Sequence, residues 1–160
     1  LIELFERDKI NYRVICIEDE DISLEERVRR ANLFAQNIKI PCLYISLHGN
    51  AAGTEEANGF EIFTSPGETK SDICASMIYE KVAQYELFNM RHDFSDEDPD
   101  KESRFTVLTK TKMPAVLIES GVYTNYEECQ RMLEPTFQEA VSMMIHLGIR
   151  KIISKRLLDE

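Results

Sequence analysis

No stretch of the 160-residue sequence approaches the roughly 20 continuous apolar residues that cross a bilayer, so a membrane-spanning chain is not expected. The opening residues, Leu1-Ile2-Glu3-Leu4-Phe5-Glu6-Arg7, lack the basic region and long apolar run of a secretory leader. No initiator Met precedes them, so the expectation is a chain that begins inside something larger or was processed. Positive charge is scarce. Against 29 Asp and Glu stand 19 Lys and Arg, for a formal net charge of −10, which disfavours nucleic acid as a partner. The same imbalance weakens long-range attraction to an anionic wall or membrane, so wall targeting would need short-range contacts or another domain. Cysteine is sparse and scattered at Cys16, Cys42, Cys74 and Cys129 with no CxxC, which argues against a paired-cysteine zinc site and a disulfide framework. Buried free thiols are expected instead. Phosphate-cradling GxGxxG and GxxxxGK[ST] patterns are missing, as is the GxSxG nucleophile elbow of many serine hydrolases.

What is present reads as one domain, with 43% hydrophobic residues to fill a core. Residues 1–8 look like the end of a helix. Arg13–Glu18 has the β-branched character of a short strand. Ser23-Leu24-Glu25-Glu26 has the form of a capping box, opening a helix with Leu24, Val28, Ala31 and Phe34/Ala35 at helical spacing. Cys42–Leu47 and Pro114–Glu119 are nearly continuous apolar strands of the kind covered on both faces. Gly59–Phe63 is a further strand and 70–87 a helix. Asp93–Glu102 reads as a solvated loop, and Phe105–Leu108 as a short extended run. Asn125-Tyr126-Glu127-Glu128 repeats the capping pattern before a helical stretch that Gly148 is expected to stop. The alternation of strands and helices predicts an α/β fold: three layers, a mainly parallel twisted sheet, helices on both faces. Residues 1–150 would form the domain and 151–160 a charged tail, either a terminal helix or a linker.

In open α/β sheets, ligands bind outside the carboxyl ends of the strands. Two apolar strands here run into ionisable residues, Tyr44-Ile45-Ser46-Leu47 into His48 and Val116-Leu117-Ile118 into Glu119. If the strands are parallel, both side chains emerge at one edge. An unpaired Glu buried there is expensive unless it has a partner or a task. A functional pair stands beside the plainer alternative of a structural histidine and a surface glutamate. His48-Gly49-Asn50-Ala51-Ala52-Gly53 and Ser120-Gly121 would let a substrate approach the backbone closely, although the same residues serve ordinary turns.

Several motifs in order resemble one family. Ser23-Leu24-Glu25-Glu26-Arg27-Val28 with Ala31-Asn32 is similar to a family helix start. Ser46-Leu47-His48-Gly49-Asn50-Ala51 resembles a Ser-x-His-x-Asn-Ala motif, and Gly59–Phe63 the strand after it. Val107-Leu108 with Lys112–Gly121 resembles the segment that ends in a catalytic glutamate, and Thr124-Asn125 with Glu127 or Glu128 continues the match. The family is the zinc-dependent N-acetylmuramoyl-L-alanine amidases, peptidoglycan hydrolases found in autolysins and phage endolysins. The resemblance covers about residues 1–150.

The resemblance implies Zn2+ held by two histidines and a glutamate, with His48 one ligand and Glu119 the catalytic carboxylate. It also implies weaker substrate contacts at Asn50 and Gly121, peptidoglycan as the partner, and an extracellular or cell-wall setting. The family's first zinc histidine and its glutamate ligand match no residue here and are expected upstream of Leu1, together with an N-terminal strand and part of the first helix. This chain alone would then be inactive. His92 and His146 fall outside the ligand positions. Gly49 replaces a frequent Ala, and Val122-Tyr123 replaces Phe and an aliphatic residue. Two alternatives remain: a non-catalytic wall-binding or regulatory module on the same fold, and an unrelated α/β domain whose His and Glu are structural.

Overall fold

Local capping chemistry sets where the helices begin. The computed structural model describes residues 1–159; Glu160, the last residue of the expected tail, lies outside the described residues. A short helix α1, Ile2–Arg7, comes first. The Ser23 hydroxyl accepts the Glu26 N–H at 3.3 Å and opens helix α2, Leu24–Ile38. The Glu26 carboxylate does not complete the expected box, because Arg29 and Arg30 claim both its oxygens. A reciprocal box appears instead at Thr69 and Asp72, opening helix α3, Lys70–Ala83. Helix α4 is a single turn, Thr106–Thr109, and α5 spans Tyr126–Met132 behind the Asn125 cap. Helix α6, Pro135–Ser154, begins with Pro near its first position, where the missing N–H costs nothing.

The strands are β1, Tyr44–Asn50; β2, Phe60–Thr64; β3, Lys101–Glu102; and β4, Ala115–Val122. They form one sheet in the order β1-β4-β2-β3. β1 runs parallel to β4 and β2 parallel to β3, while β2 and β4 are antiparallel, so the sheet is mixed. Alternation along β4 produces the three layers. Val116 and Ile118 enter the larger core with Ile78 and Val82 of α3 and Met144, Ile145 and Ile149 of α6. Ala115 and Leu117 face the other way, onto Val28 of α2 and Val107 and Leu108 of α4. Each fully buried aliphatic side chain contributes about 1.5–3 kcal/mol, so these two clusters fix which face β4 gives to which helices.

Four local expectations change. Arg13–Glu18 is not a strand: Val14, Cys16 and Ile17 are exposed, and β-branched composition makes no ladder without a neighbour to pair with. Cys16 is therefore not a buried thiol, whereas Cys74 is fully buried and burial pushes its thiol up to about 11. Phe105–Leu108 forms a helical turn, because adjacent Val107 and Leu108 bury together in the smaller core. Gly148 does not end its helix. A Cβ there would stand 2.7 Å from Ile78 Cα, so this glycine lets α6 press against α3. Helix α6 runs on through residue 150 to Ser154.

Candidate active site

The register brings the two ionisable residues together. His48 of β1 is the cross-strand partner of Glu119 of β4, and Glu119 is in turn the partner of Glu61 of β2. One row of the sheet thus reads His48, Glu119, Glu61. It shares its face of the sheet with the row Ser46, Leu117 and Phe63. Beyond the row the strands fall out of step: His48 pairs with Glu119 but Asn50 pairs with Val122, so β4 carries one extra residue. That bulge contains Gly121 at φ +106°, a conformation open to glycine and strained for other residues. Both strands also run past their expected ends at Leu47 and Glu119, to Asn50 and Val122.

Glu128 locks this bulge. Its carboxylate accepts the Gly59 N–H at 2.9 Å and the Val122 N–H at 2.7 Å, tying the start of β2 to the end of β4. The loop after β1 is held to the same place, since Tyr123 N–H donates to the Asn50 carbonyl at 2.9 Å and Ala52 N–H to Thr124 Oγ1 at 3.0 Å. Of the two expected substrate contacts, Gly121 therefore has a backbone task and packs near Met132 and Glu128. Asn50 stands at the end of β1, two residues past His48.

The electrostatics of the row are uneven. Burial first, and then the facing Glu61 carboxylate, push Glu119 up to about 7. Its Oε2 is buried with no hydrogen-bond partner among the described residues. Glu61 is the more deeply buried of the two, its side chain 3% exposed, and it is ion-paired with Arg91 Nε and, at 3.1 Å, with Lys101 Nζ. Sequence reasoning missed this residue. The available signal was a lone carboxylate between Phe60 and Ile62 in an apolar strand. His48 Nε2 lies 2.9 Å from Ser46 Oγ, and burial, then the Arg27 charge, lower its pKa. The neutral imidazole, the form that ligates metals, is thereby favoured.

The other histidines sit elsewhere. His92 is exposed, beside Tyr79 and Phe94. His146 is fully buried against the Phe5 ring, its Nε2 2.8 Å from Asp8 Oδ2, and is structural. Among the described residues no group of three His, Cys, Asp or Glu side chains is placed to hold a metal ion. His48 offers one imidazole suited to a metal, and Glu119 beside it keeps one buried carboxylate oxygen without a hydrogen-bond partner among the described residues.

A family profile for N-acetylmuramoyl-L-alanine amidases matches residues 1–151. The chain belongs to this family. It is 27% identical over 124 residues to the N-acetylmuramoyl-L-alanine amidase CwlM of Bacillus licheniformis, covering 78% of the chain and 44% of that protein. It is 27% identical over 133 residues to the amidase LytC of Bacillus subtilis, covering 81% of the chain and 24% of LytC. The chain therefore spans less than half the length of either relative. Among solved structures, the N-acetylmuramoyl-L-alanine amidase of Clostridium difficile 630 superposes with a TM-score of 0.79 at 24% identity, covering 96% of this chain and 79% of that one. The catalytic domain of CwlV from Bacillus (Paenibacillus) polymyxa var. colistinus gives 0.73 at 24% identity, with 96% and 80% covered. These superpositions establish that the α/β fold is the one found in amidase catalytic domains.

Proposed function

We propose that the chain is part of the catalytic domain of a peptidoglycan hydrolase that cuts the amide between the lactyl group of N-acetylmuramic acid and L-alanine. The observation that carries this reading is the register pairing of His48 with Glu119 on one face of the sheet. A structural histidine and a surface glutamate have no reason to share a row, nor would a surface glutamate keep a buried, unpartnered oxygen.

Glu119 acts as the general base and then the general acid. Held near 7, its carboxylate takes a proton from the attacking water and returns it to the departing L-alanine nitrogen. Glu61, clamped by Arg91 and Lys101, keeps a second negative charge opposite, which raises the proton affinity of Glu119. His48 would hold a zinc ion through its neutral ring, and Asn50 and the backbone at Gly121 would line the substrate. Zinc bound there would supply an acidified water and a polarised carbonyl. A catalytic zinc takes about three protein ligands. In this reading the other two come from sequence outside residues 1–160, and the chain alone is inactive. The enzyme would act at the cell wall or outside the cell, where its substrate is.

A second reading, a non-catalytic wall-binding module, is favoured by one observation: no three-ligand group occurs among the described residues. Elemental analysis of the full-length protein, of this chain and of their His48→Ala variants separates the two. About one zinc per full-length molecule, lost on substitution and absent from the shorter chain, supports the split-site hydrolase. No zinc in any sample supports the binding module.

A further inference from the structure

Arg91 and Lys101 hold buried Glu61, and Arg30 bridges Glu18 and Glu26, whose side chains are each 32% exposed. Arg27 is different. It precedes Val28, which packs with Tyr44 and Leu117 on the face that carries His48 and Glu119. Its Nε donates to the Ile22 carbonyl at 2.7 Å, which fixes the plane of the guanidinium. Its Nη2 donates to Asp21 Oδ1 at 2.7 Å. The Arg27 side chain is 22% exposed, while that of Asp21 is 91% exposed. A pair with so open a partner is worth about 0–1 kcal/mol, so another carboxylate displaces Asp21 at little cost.

We propose that Arg27 anchors a carboxylate on the peptide side of the substrate, and that Asp21 occupies this place when no substrate is bound. The inference rests on the amide-hydrolase reading. A stem peptide continues beyond L-alanine with a glutamate linked through its γ-carboxyl. Its α-carboxylate is therefore free, a few bonds from the amide to be cut. In some walls this group is amidated, which removes the charge and leaves the shape nearly unchanged. A guanidinium matches a carboxylate in a planar, two-bond geometry that an amide cannot reproduce. Arg27 also answers a physical difficulty: a chain of net charge −10 with Glu61 and Glu119 in its site repels an anionic peptide unless a local cation receives it.

The test uses zinc-loaded full-length protein and two muramoyl peptides that differ only in a free or amidated second-residue carboxyl. The native protein is expected to favour the free carboxylate by about tenfold in KM, as one charged hydrogen-bonded contact provides. Arg27→Gln abolishes the preference by raising KM for the charged peptide, Arg27→Lys retains part of it, and Asp21→Asn lowers that KM by removing the competing carboxylate. Equal use of both peptides by the native protein, or an undiminished preference in Arg27→Gln, overturns the inference while leaving the amidase reading intact. Cleavage of neither peptide removes that reading, and this inference with it.

Discussion

Replacing Glu119 with Gln should make the folded chain more stable, and only above acidic pH. The carboxyl stands opposite Glu61 with one oxygen buried and without a hydrogen bond among the described residues. These surroundings hold it at about 7, against an ordinary 4.5. A folded-state pKa above the unfolded value means that the folded state keeps its proton longer. The penalty is absent below about 4.5, grows as pH rises towards 7, and is complete above that. At about 1.4 kcal/mol per pKa unit the ceiling is about 3 kcal/mol. The site is half open, so water screens the charge, and roughly 1–2 kcal/mol is the expected gain. Gln preserves the shape and removes the charge. Urea unfolding with chelator present, at about pH 4 and about pH 9, reads the difference directly. The variant should match the native chain at the lower pH and exceed it at the higher. Equal stability at both would show that Glu119 has a compensating partner, and the argument for a poised base would fail.

Hydrolysis by the full-length protein should rise through an ascending limb near pH 7, as Glu119 loses its proton, and Glu61→Gln should move that limb to lower pH by removing the facing charge. An unmoved limb in the pH–rate profile would assign it to another group. Gly148→Ala should cost about 1–3 kcal/mol by forcing a methyl group against Ile78, measured by thermal unfolding, whereas Gly53→Ala, with nothing within 4 Å of its Cβ, should cost little. Glu128→Ala should cost about 2–4 kcal/mol, because the Gly59 and Val122 N–H groups lose their acceptor in a buried place, and Glu128→Gln should recover part of that loss. A cost below about 0.5 kcal/mol for Glu128→Ala would mean water replaces the carboxylate.

What could be read from the sequence was governed by distance along the chain. Ser23 and Asn125 cap helices through bonds to residues three positions on, so a short pattern suffices. β4 was visible because both its faces are covered and its apolar run is continuous, whereas β1 is an edge strand with Leu47 half exposed, visible from its apolar run alone. Arg13–Glu18 has strand-like residues, but pairing is a non-local property that composition does not carry. Gly148 resembled a helix stop because its actual reason, the approach of Ile78, lies 70 residues away. The site divides in the same way. His48 and Glu119 stood out at the ends of apolar strands. Glu61 and its partners Arg91 and Lys101 did not, because that triad exists only once β2, β3 and the segment carrying Arg91 are brought together. The bulge at Gly121 shows only in the register.

The central claim is that His48 and Glu119 belong to a site that cuts the muramoyl–L-alanine amide. The most direct measurement is the chemistry of the ends released from purified peptidoglycan by the full-length protein and by its His48→Ala and Glu119→Gln variants. New L-alanine amino groups, without new sugar reducing ends, and their loss in both variants, are predicted. Reducing ends, cleavage elsewhere in the peptide, or undiminished release by either variant would contradict the account.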